Sequence, residues 1–154
     1  MNFEHLHHYS GNLGREMPLN RYGHAGLPIV VFPSSGGRYY EYADFGMIEA
    51  CQWFIDSGKV QFFTLDSIDN ESWLCQSKSA HDKAEAHTRF EKYVIEEAIP
   101  FIKHHTGWFD PMMTTGCSMG AYHALNIFLQ HPDVFNKVIA LSGVYDARFF
   151  CGEY

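Results

Sequence analysis

Charged side chains are scarce in this sequence: Asp, Glu, Lys and Arg together make up 19% of its 154 residues, below the roughly 25% usual in soluble proteins. The 11 basic and 18 acidic residues leave a formal net charge of −7, which argues against a surface that binds nucleic-acid phosphates. No apolar run approaches the ~18 residues of a membrane-spanning helix, and the N-terminus lacks the apolar stretch of a signal peptide. We therefore expect a cytoplasmic protein with no nucleic-acid or membrane partner.

Metal-binding signatures are lacking as well. The four cysteines, at positions 51, 75, 117 and 151, form no CxxC pair, and the sequence contains no HExxH motif. His5, His7 and His8 alternate near the N-terminus, but a metal site there would need ligands from elsewhere in the fold. We expect no metal site and four free thiols.

Aromatic residues, by contrast, are abundant, at 16% of the chain. That proportion excludes a disordered protein, because disorder goes with few aromatic residues and a high net charge. The length of 154 residues is typical of one domain, and the sequence shows neither an internal repeat nor a linker. We expect a single domain over residues 1–154.

Short apolar runs alternate with longer helical patterns along the chain. Two segments near the N-terminus predict an antiparallel strand pair: 3–9 and 16–22. Four compact apolar runs predict further strands: 27–32, 59–66, 112–116 and 138–141. Three segments with apolar residues at helical spacing predict helices: 42–57, 80–105, which Pro100 should kink or restart, and 119–130. Strands that alternate with helices indicate the α/β class, with a parallel sheet covered on both faces.

The motif Gly116-Cys117-Ser118-Met119-Gly120 is a complete G-x-S-x-G between a predicted strand and a predicted helix. A tight strand-to-helix turn there would expose the Ser118 hydroxyl at the carboxyl end of the strand, and only glycine would fit at positions 116 and 120. The first amides of the helix would point at the same place, so the Met119 amide could bind a developing oxyanion. The motif predicts a nucleophilic serine.

A second oxyanion donor is expected from the segment PSSGG, which directly follows the strand Leu27–Phe32. Its small side chains would let the backbone approach a substrate, and either the Ser35 or the Gly36 amide could be the donor. By itself the segment is more typical of a flexible turn, and its place beside the motif around Ser118 favours the oxyanion donor. Tyr39, Tyr40 and Tyr42 come next; they could wall an acyl pocket or pack the loop on the sheet.

These features resemble the putative esterase family of the α/β-hydrolase superfamily, which is related to esterase D, S-formylglutathione hydrolase and the mycolyltransferases. The resemblance rests on four stretches: GHAGLPIVVFPSSGGRYYEY (23–42), EAIPFI (97–102), TTGCSMGAYHALN (114–126) and HPDVFNKVIALSG (131–143). It implies a three-layer sandwich with a mostly parallel sheet and antiparallel N-terminal strands. It also implies hydrolysis of carboxylic esters or thioesters by Ser118, without a cofactor.

The resemblance further implies a catalytic acid and a histidine after two later strands, and no residue of this sequence maps onto either. We therefore expect a sandwich that lacks its last strands and helices, with slow hydrolysis at best. Four residues are candidates to replace them: His81, His87, His123 and Asp146. His123 is expected on a helix that leads away from the site, and Asp146 fits a turn or a helix start better.

Two alternatives to ester hydrolysis stay open. A hydrolase-like module could bind a small acyl ligand or a partner without catalysis, and an acyltransferase would differ in the acceptor that its pocket admits. In a sheet that ends at Val138–Leu141, this apolar strand would have an unpaired edge, which favours self-association. The expected partners are a small-molecule ester and, through that edge, a second copy of the chain.

Overall fold

An antiparallel hairpin begins the chain, as predicted from the segments 3–9 and 16–22. Strands β1 (Phe3–Ser10) and β2 (Arg15–Tyr22) pair along their whole length. The computed structural model of the chain describes residues 1–152. Within them the hairpin forms one side of a six-stranded sheet with the order β1-β2-β4-β3-β5-β6.

Four parallel strands form the rest of the sheet: β3 (Leu27–Phe32), β4 (Val60–Leu65), β5 (Met112–Cys117) and β6 (Phe135–Leu141). The predicted strands are confirmed, and β6 begins three residues earlier than the apolar run 138–141 indicated. Because parallel strands run in one direction, the loops that follow Phe32 and Cys117 emerge at the same edge of the sheet.

The segment between β3 and β4 differs from its prediction. Instead of one helix over 42–57, it forms three short ones: α1 (Glu41–Asp44), α2 (Met47–Ala50) and α3 (Gln52–Asp56). Gly46 has a φ of 78° just before α2, and this left-handed conformation interrupts a right-handed helix. The single-helix prediction was therefore wrong.

The long helical segment between β4 and β5 changes its winding ahead of Pro100. Helix α4 (Ala80–Lys92) leads into a π-helical segment, Tyr93–Ala98, and α5 (Ile99–Thr106) restarts with Pro100 in its first turn. Proline is tolerated in a first helical turn because its missing N–H needs no partner there. The helical winding therefore changes next to Pro100, where the sequence predicts a kink or a restart. Over residues 1–152, no helix is long and apolar enough to cross a membrane.

The two faces of the sheet carry separate cores. Val30 and Phe63 belong to a large cluster with apolar side chains of α4, α5 and α6 (Met119–Gln130). Their neighbours in sequence, Ile29 and Phe62, belong to a second cluster with residues of the α1–α3 segment. This division follows from the alternation of side chains along a strand, and it places helices on both faces of the sheet, as the α/β prediction requires.

Strand β6 is the last strand on its side of the sheet among residues 1–152. The Ile139 side chain on this strand is 50% exposed. Ile139 and Leu141 also line an apolar cavity of about 280 Å³ beside the α1–α3 segment, together with Ile29, Tyr42, Met47, Cys51, Phe54, Val60, Phe62, Met113 and Thr115. The described part of the chain thus leaves both the edge of β6 and the adjoining sheet face partly uncovered.

Candidate active site

Ser118 lies at the junction of β5 and α6, with a φ of 57° and a ψ of −119°. Ser118 is one of two non-glycine residues with a positive φ in the described chain. An L-residue adopts this conformation only at a cost of about 1–3 kcal/mol. The Ser118 amide donates to the Leu141 carbonyl at 2.9 Å, which ties the turn to β6. The residue is half-buried, at the carboxyl end of a strand as predicted.

Two glycines allow this turn to pack against the rest of the sheet. A Cβ at Gly116 would lie 2.4 Å from the backbone carbon of Gly120, and a Cβ at Gly120 would lie 2.2 Å from the Phe32 carbonyl oxygen. Both distances are far inside van der Waals contact. The start of α6 therefore lies directly against the end of β3, where the Ser/Gly-rich segment begins.

The close approach at Gly120 predicts an unusual helix substitution. Gly→Ala inside a helix normally stabilises it by about 1 kcal/mol, yet Gly120→Ala should destabilise the protein by about 3 kcal/mol, because the added methyl group overlaps backbone that cannot move aside. Thermal or urea unfolding monitored by circular dichroism measures the difference.

Gly46→Ala is the matched control for this substitution. Its Cβ would meet no atom within 4 Å, and only the left-handed backbone, with a φ of 78°, opposes it. A cost of about 1 kcal/mol is expected for that conformation alone. A Gly120→Ala protein as stable as the unsubstituted chain would contradict the packing of α6 against β3.

The Met119 amide is the first of α6, one of the amides that have no acceptor within a helix. The positive end of the helix dipole adds to its attraction for an anion. Met119 itself is 1% exposed, so its side chain fixes the helix start in the protein interior. The geometry therefore leaves a backbone donor beside Ser118.

The Ser/Gly-rich segment after β3 forms a tight turn. The Gly37 amide donates to the Ser34 carbonyl at 2.9 Å, and Gly36 has a φ of 65° while Ser35 has a negative φ. A four-residue turn with a positive φ only at its third residue is of type II. Gly36 supplies that conformation without strain.

Two of the four amides in this turn already have acceptors. The Ser34 amide donates to Glu41 Oε2 at 2.7 Å, and the Gly37 amide is bound within the turn. Among residues 1–152, the Ser35 and Gly36 amides have no protein acceptor. The two donors that the sequence left as alternatives are thus the two amides of the turn without a protein acceptor in the described residues.

A cavity of about 210 Å³ lies beside the turn and is lined by Phe32, Ser34, Glu41, Tyr42, Phe45, Met47 and Cys117. The ring of Tyr39 lies on His5 instead, at 5.2 Å between centroids, and Tyr40 packs on Tyr39 at 5.1 Å. Of the three tyrosines after the loop, Tyr42 lines this cavity, and Glu41, which sequence analysis did not single out, lines it as well. The place of Glu41 directly after the loop is the signal that could have suggested it.

The histidines considered as bases are engaged elsewhere. His123 Nε2 lies 2.8 Å from Asp69 Oδ1, with both side chains almost fully buried, and His87 Nε2 lies 3.1 Å from Glu91 Oε1. The side chain of His81 is 79% exposed. In residues 1–152, no hydrogen bond joins the Ser118 hydroxyl to a histidine.

Two tyrosines near the motif are held in their neutral form. Burial raises the pKa of Tyr122 to about 12, and burial also raises the pKa of Tyr42 above its ordinary value. Neither phenol can therefore accept a proton from Ser118 near neutral pH. Asp146 forms an ion pair with Arg148 at 2.5 Å, so its carboxylate also has a partner away from the serine.

The N-terminal histidines do not assemble a metal site. His5 Nδ1 lies 2.8 Å from Asn20 Oδ1, His7 pairs with Glu16, and the ring of His8 stacks on Phe101 at 4.8 Å. No group of three or more His, Cys, Asp or Glu residues in 1–152 is placed to hold a metal ion, and all four cysteines are free.

Comparison with protein families gives one match: a family described as putative esterase, over residues 10–149. No curated protein matches the chain. Solved structures do match, at low identity. An S-formylglutathione hydrolase from Staphylococcus aureus superposes with a TM-score of 0.73 at 14% identity, and the alignment covers 98% of this chain and 62% of that one.

Two further structures give the same result. A ferulic acid esterase from Anaeromyces mucronatus has a TM-score of 0.74 at 14% identity, with 93% of this chain and 59% of that chain covered. A fluorophosphonate-binding serine hydrolase from Staphylococcus aureus has a TM-score of 0.71 at 15% identity, with 96% and 59% covered. At such low identity, these superpositions show a shared α/β-hydrolase fold and nothing more. The chain spans about three fifths of the length of these structures.

Proposed function

Since the chain belongs to the putative esterase family, we propose that it is a serine-dependent hydrolase of carboxylic esters or thioesters, with Ser118 as its nucleophile. One observation carries the proposal. Ser118 occupies a strained turn at the carboxyl end of β5, with a φ of 57°, and the helix behind it packs on the end of β3 through Gly120. Strained backbone of this kind clusters at active sites.

The proposed reaction uses Ser118 and two backbone donors. Ser118 Oγ forms a bond to the acyl carbon, and the carbonyl oxygen becomes an oxyanion that the Met119 amide and the Ser35 or Gly36 amide stabilise. The alcohol or thiol leaves with a proton when the tetrahedral intermediate collapses. Water then attacks the acyl-serine ester, releases the acid and restores the hydroxyl.

The proposal includes slow turnover, because no histidine of residues 1–152 is bound to Ser118. Without a base, the hydroxyl proton passes to water, and the serine is a weak nucleophile. Oxyanion donors and binding alone still give roughly 10³-fold catalysis over water. Reactive acylating and phosphonylating reagents should therefore modify the serine more readily than ordinary esters do.

Covalent labelling by a fluorophosphonate probe tests the proposal. One of the similar structures is described as a fluorophosphonate-binding serine hydrolase, and the same reactivity is proposed for this chain. Time-dependent labelling of the folded protein, followed by mass spectrometry, is the expected result. A folded protein that stays unlabelled would instead support the non-catalytic binding module.

We also propose that copies of the chain associate through the outer edge of β6. The Thr115 hydroxyl donates to the Ile139 carbonyl, and the Ser118 amide donates to the Leu141 carbonyl, so these two residues turn their backbone groups toward β5. The intervening residue, Ala140, must then turn its amide and carbonyl outward. If two copies of β6 pair antiparallel about Ile139, Lys137 of one copy lies opposite Leu141 of the other, so no like charges face each other.

Ala140→Pro is expected to convert associated protein to monomer. The substitution removes an outward N–H of the edge strand and no bond to β5, and proline is compatible with such a position. Size-exclusion chromatography with light scattering at several concentrations measures the mass. Ile139→Ser, which makes the exposed face less apolar but leaves the edge intact, is the matched variant.

The two variants separate the possible results. Association that survives Ala140→Pro but not Ile139→Ser would place the contact on the sheet face and overturn edge pairing. An unsubstituted chain that is monomeric at all concentrations would overturn self-association itself.

A further inference from the structure

We propose that Glu41 is the positioning residue of the proposed oxyanion site: its carboxylate fixes the turn Ser34–Gly37 so that the free amides of Ser35 and Gly36 face the substrate. This inference rests on the proposed function. Nothing in the family match or in the motif around Ser118 assigns Glu41 a role. The residue is half-buried at the start of α1.

One carboxylate reaches both ends of the turn. Glu41 Oε2 accepts from the Ser34 amide at 2.7 Å, and Oε1 accepts from the Ser34 hydroxyl at 2.5 Å. At the other end, a Cβ on Gly37 would lie 2.5 Å from Glu41 Oε1. The carboxylate therefore fills the space beside Gly37, and the glycine permits this approach.

The turn needs such an anchor because its own sequence is permissive. Serine and glycine side chains contribute little packing, and glycine loses more backbone freedom on ordering than any other residue. The Ser67 hydroxyl holds the Gly37 carbonyl at 2.9 Å, and the Thr64 hydroxyl holds the Tyr39 carbonyl at 2.5 Å. Both bonds restrain the later part of the loop, whereas Glu41 restrains its beginning.

The Ser34 contact bears directly on the direction of the Ser35 amide. In a trans peptide the carbonyl of one residue and the N–H of the next point in opposite directions. The Ser34 carbonyl points into the turn, where it accepts from the Gly37 amide, so the Ser35 N–H points out of it. A rotation of Ser34 would turn this donor away as well.

Glu41 is itself held close to the loop. Its amide donates to the Arg38 carbonyl at 3.0 Å, and α1 starts only four residues after Gly37. The carboxylate and the turn it binds are thus parts of one short segment. Both of its oxygens accept from Ser34, so a glutamine, with a single acceptor oxygen, can replace only part of the contact.

The rate of phosphonylation tests the inference in the full chain. Glu41→Ala should lower the rate constant for fluorophosphonate labelling by about 10–100-fold, since displacement of a reacting group by about 1 Å costs up to about 10²-fold. The labelling rate constant of Glu41→Gln should lie between those of Glu41→Ala and the unsubstituted chain. Asp44→Ala is the matched control, an exposed carboxylate on the same helix, and should label at the unsubstituted rate.

Coupling to Ser34 distinguishes positioning from general stability. Ser34→Ala removes the hydroxyl contact and should lower the rate constant in the native background but not in the Glu41→Ala background, because the two residues act as one unit. A merely structural Glu41 would reduce the final labelled fraction and the melting temperature, and would leave the rate constant of the folded fraction unchanged.

The results for this inference and for the proposed function differ. If the unsubstituted chain labels and folded Glu41→Ala labels at the same rate, the positioning role is overturned and the serine nucleophile stands. If Glu41→Ala fails to fold, the rate constant of Glu41→Gln decides. If the folded unsubstituted chain does not label at all, the proposed function fails, and the positioning role fails with it.

Discussion

Ser118→Ala is expected to abolish covalent labelling by a fluorophosphonate probe, because the variant lacks the Ser118 Oγ, the atom that the proposed function bonds to phosphorus. The fold should survive the change. Alanine keeps the Cβ that already tolerates a φ of 57°, and the amide bond to Leu141 uses backbone only. Labelling measured beside a circular dichroism melt separates chemistry from stability.

Ser142→Ala is the matched control for this prediction. Among residues 1–152, Ser142 is the other non-glycine residue with a positive φ, 52°, and it follows the neighbouring strand β6. The Ser142→Ala variant should be labelled at the same rate as the unsubstituted chain. If Ser118→Ala still labels, or if Ser142→Ala abolishes labelling, the nucleophile has been placed on the wrong residue.

Ser35→Pro should lower the labelling rate by about 10²–10³-fold if the Ser35 amide is the second oxyanion donor, since the loss of one such donor has an effect of this size. Proline is favoured at the second residue of a type II turn. The substitution therefore preserves the backbone that Gly36 and the Ser34 to Gly37 bond define. The substitution removes the N–H and the side-chain hydroxyl.

Ser35→Ala supplies the comparison, because it removes the hydroxyl and keeps the amide. It is expected to label at the unsubstituted rate, as the Ser35 side chain is exposed. Equal rates for the proline and alanine variants would exclude the Ser35 amide and leave the Gly36 amide as the donor. A proline at position 36 cannot provide the same test, because Gly36 has a φ of 65° and proline is restricted to a φ near −65°.

The strands were predictable because their signal is local. The apolar run Leu27–Phe32 indicates a strand buried on both faces of the sheet. The alternating residues before Tyr22 indicate a strand buried on one face. Both signals are independent of the rest of the chain. The turn at Ser118 was also predictable, because glycines at positions 116 and 120 are needed wherever a strand turns sharply into a helix. Pro100 marked the start of α5 for a similar reason: its ring and missing N–H act within a few residues.

The segment between β3 and β4 was less predictable. The apolar spacing of Ile48 and Phe54 suits one helix, but Gly46 adopts a left-handed conformation and the segment divides into α1, α2 and α3. Whether a glycine ends a helix or is tolerated within it depends on the packing around it. No local pattern decides between the two.

Sequence alone determined the class of the fold, the serine that carries the proposed chemistry, and the pair of amides that could be its second donor, since periodicity and small residues act over a few positions. Only the tertiary structure placed Glu41 on the turn, bound His123 to Asp69 in the interior, and left the outer edge of β6 free in the described residues. Each of these depends on contacts between segments far apart in the chain or on a hydrogen bond to a backbone amide. A side chain's own identity does not encode which backbone group it will meet.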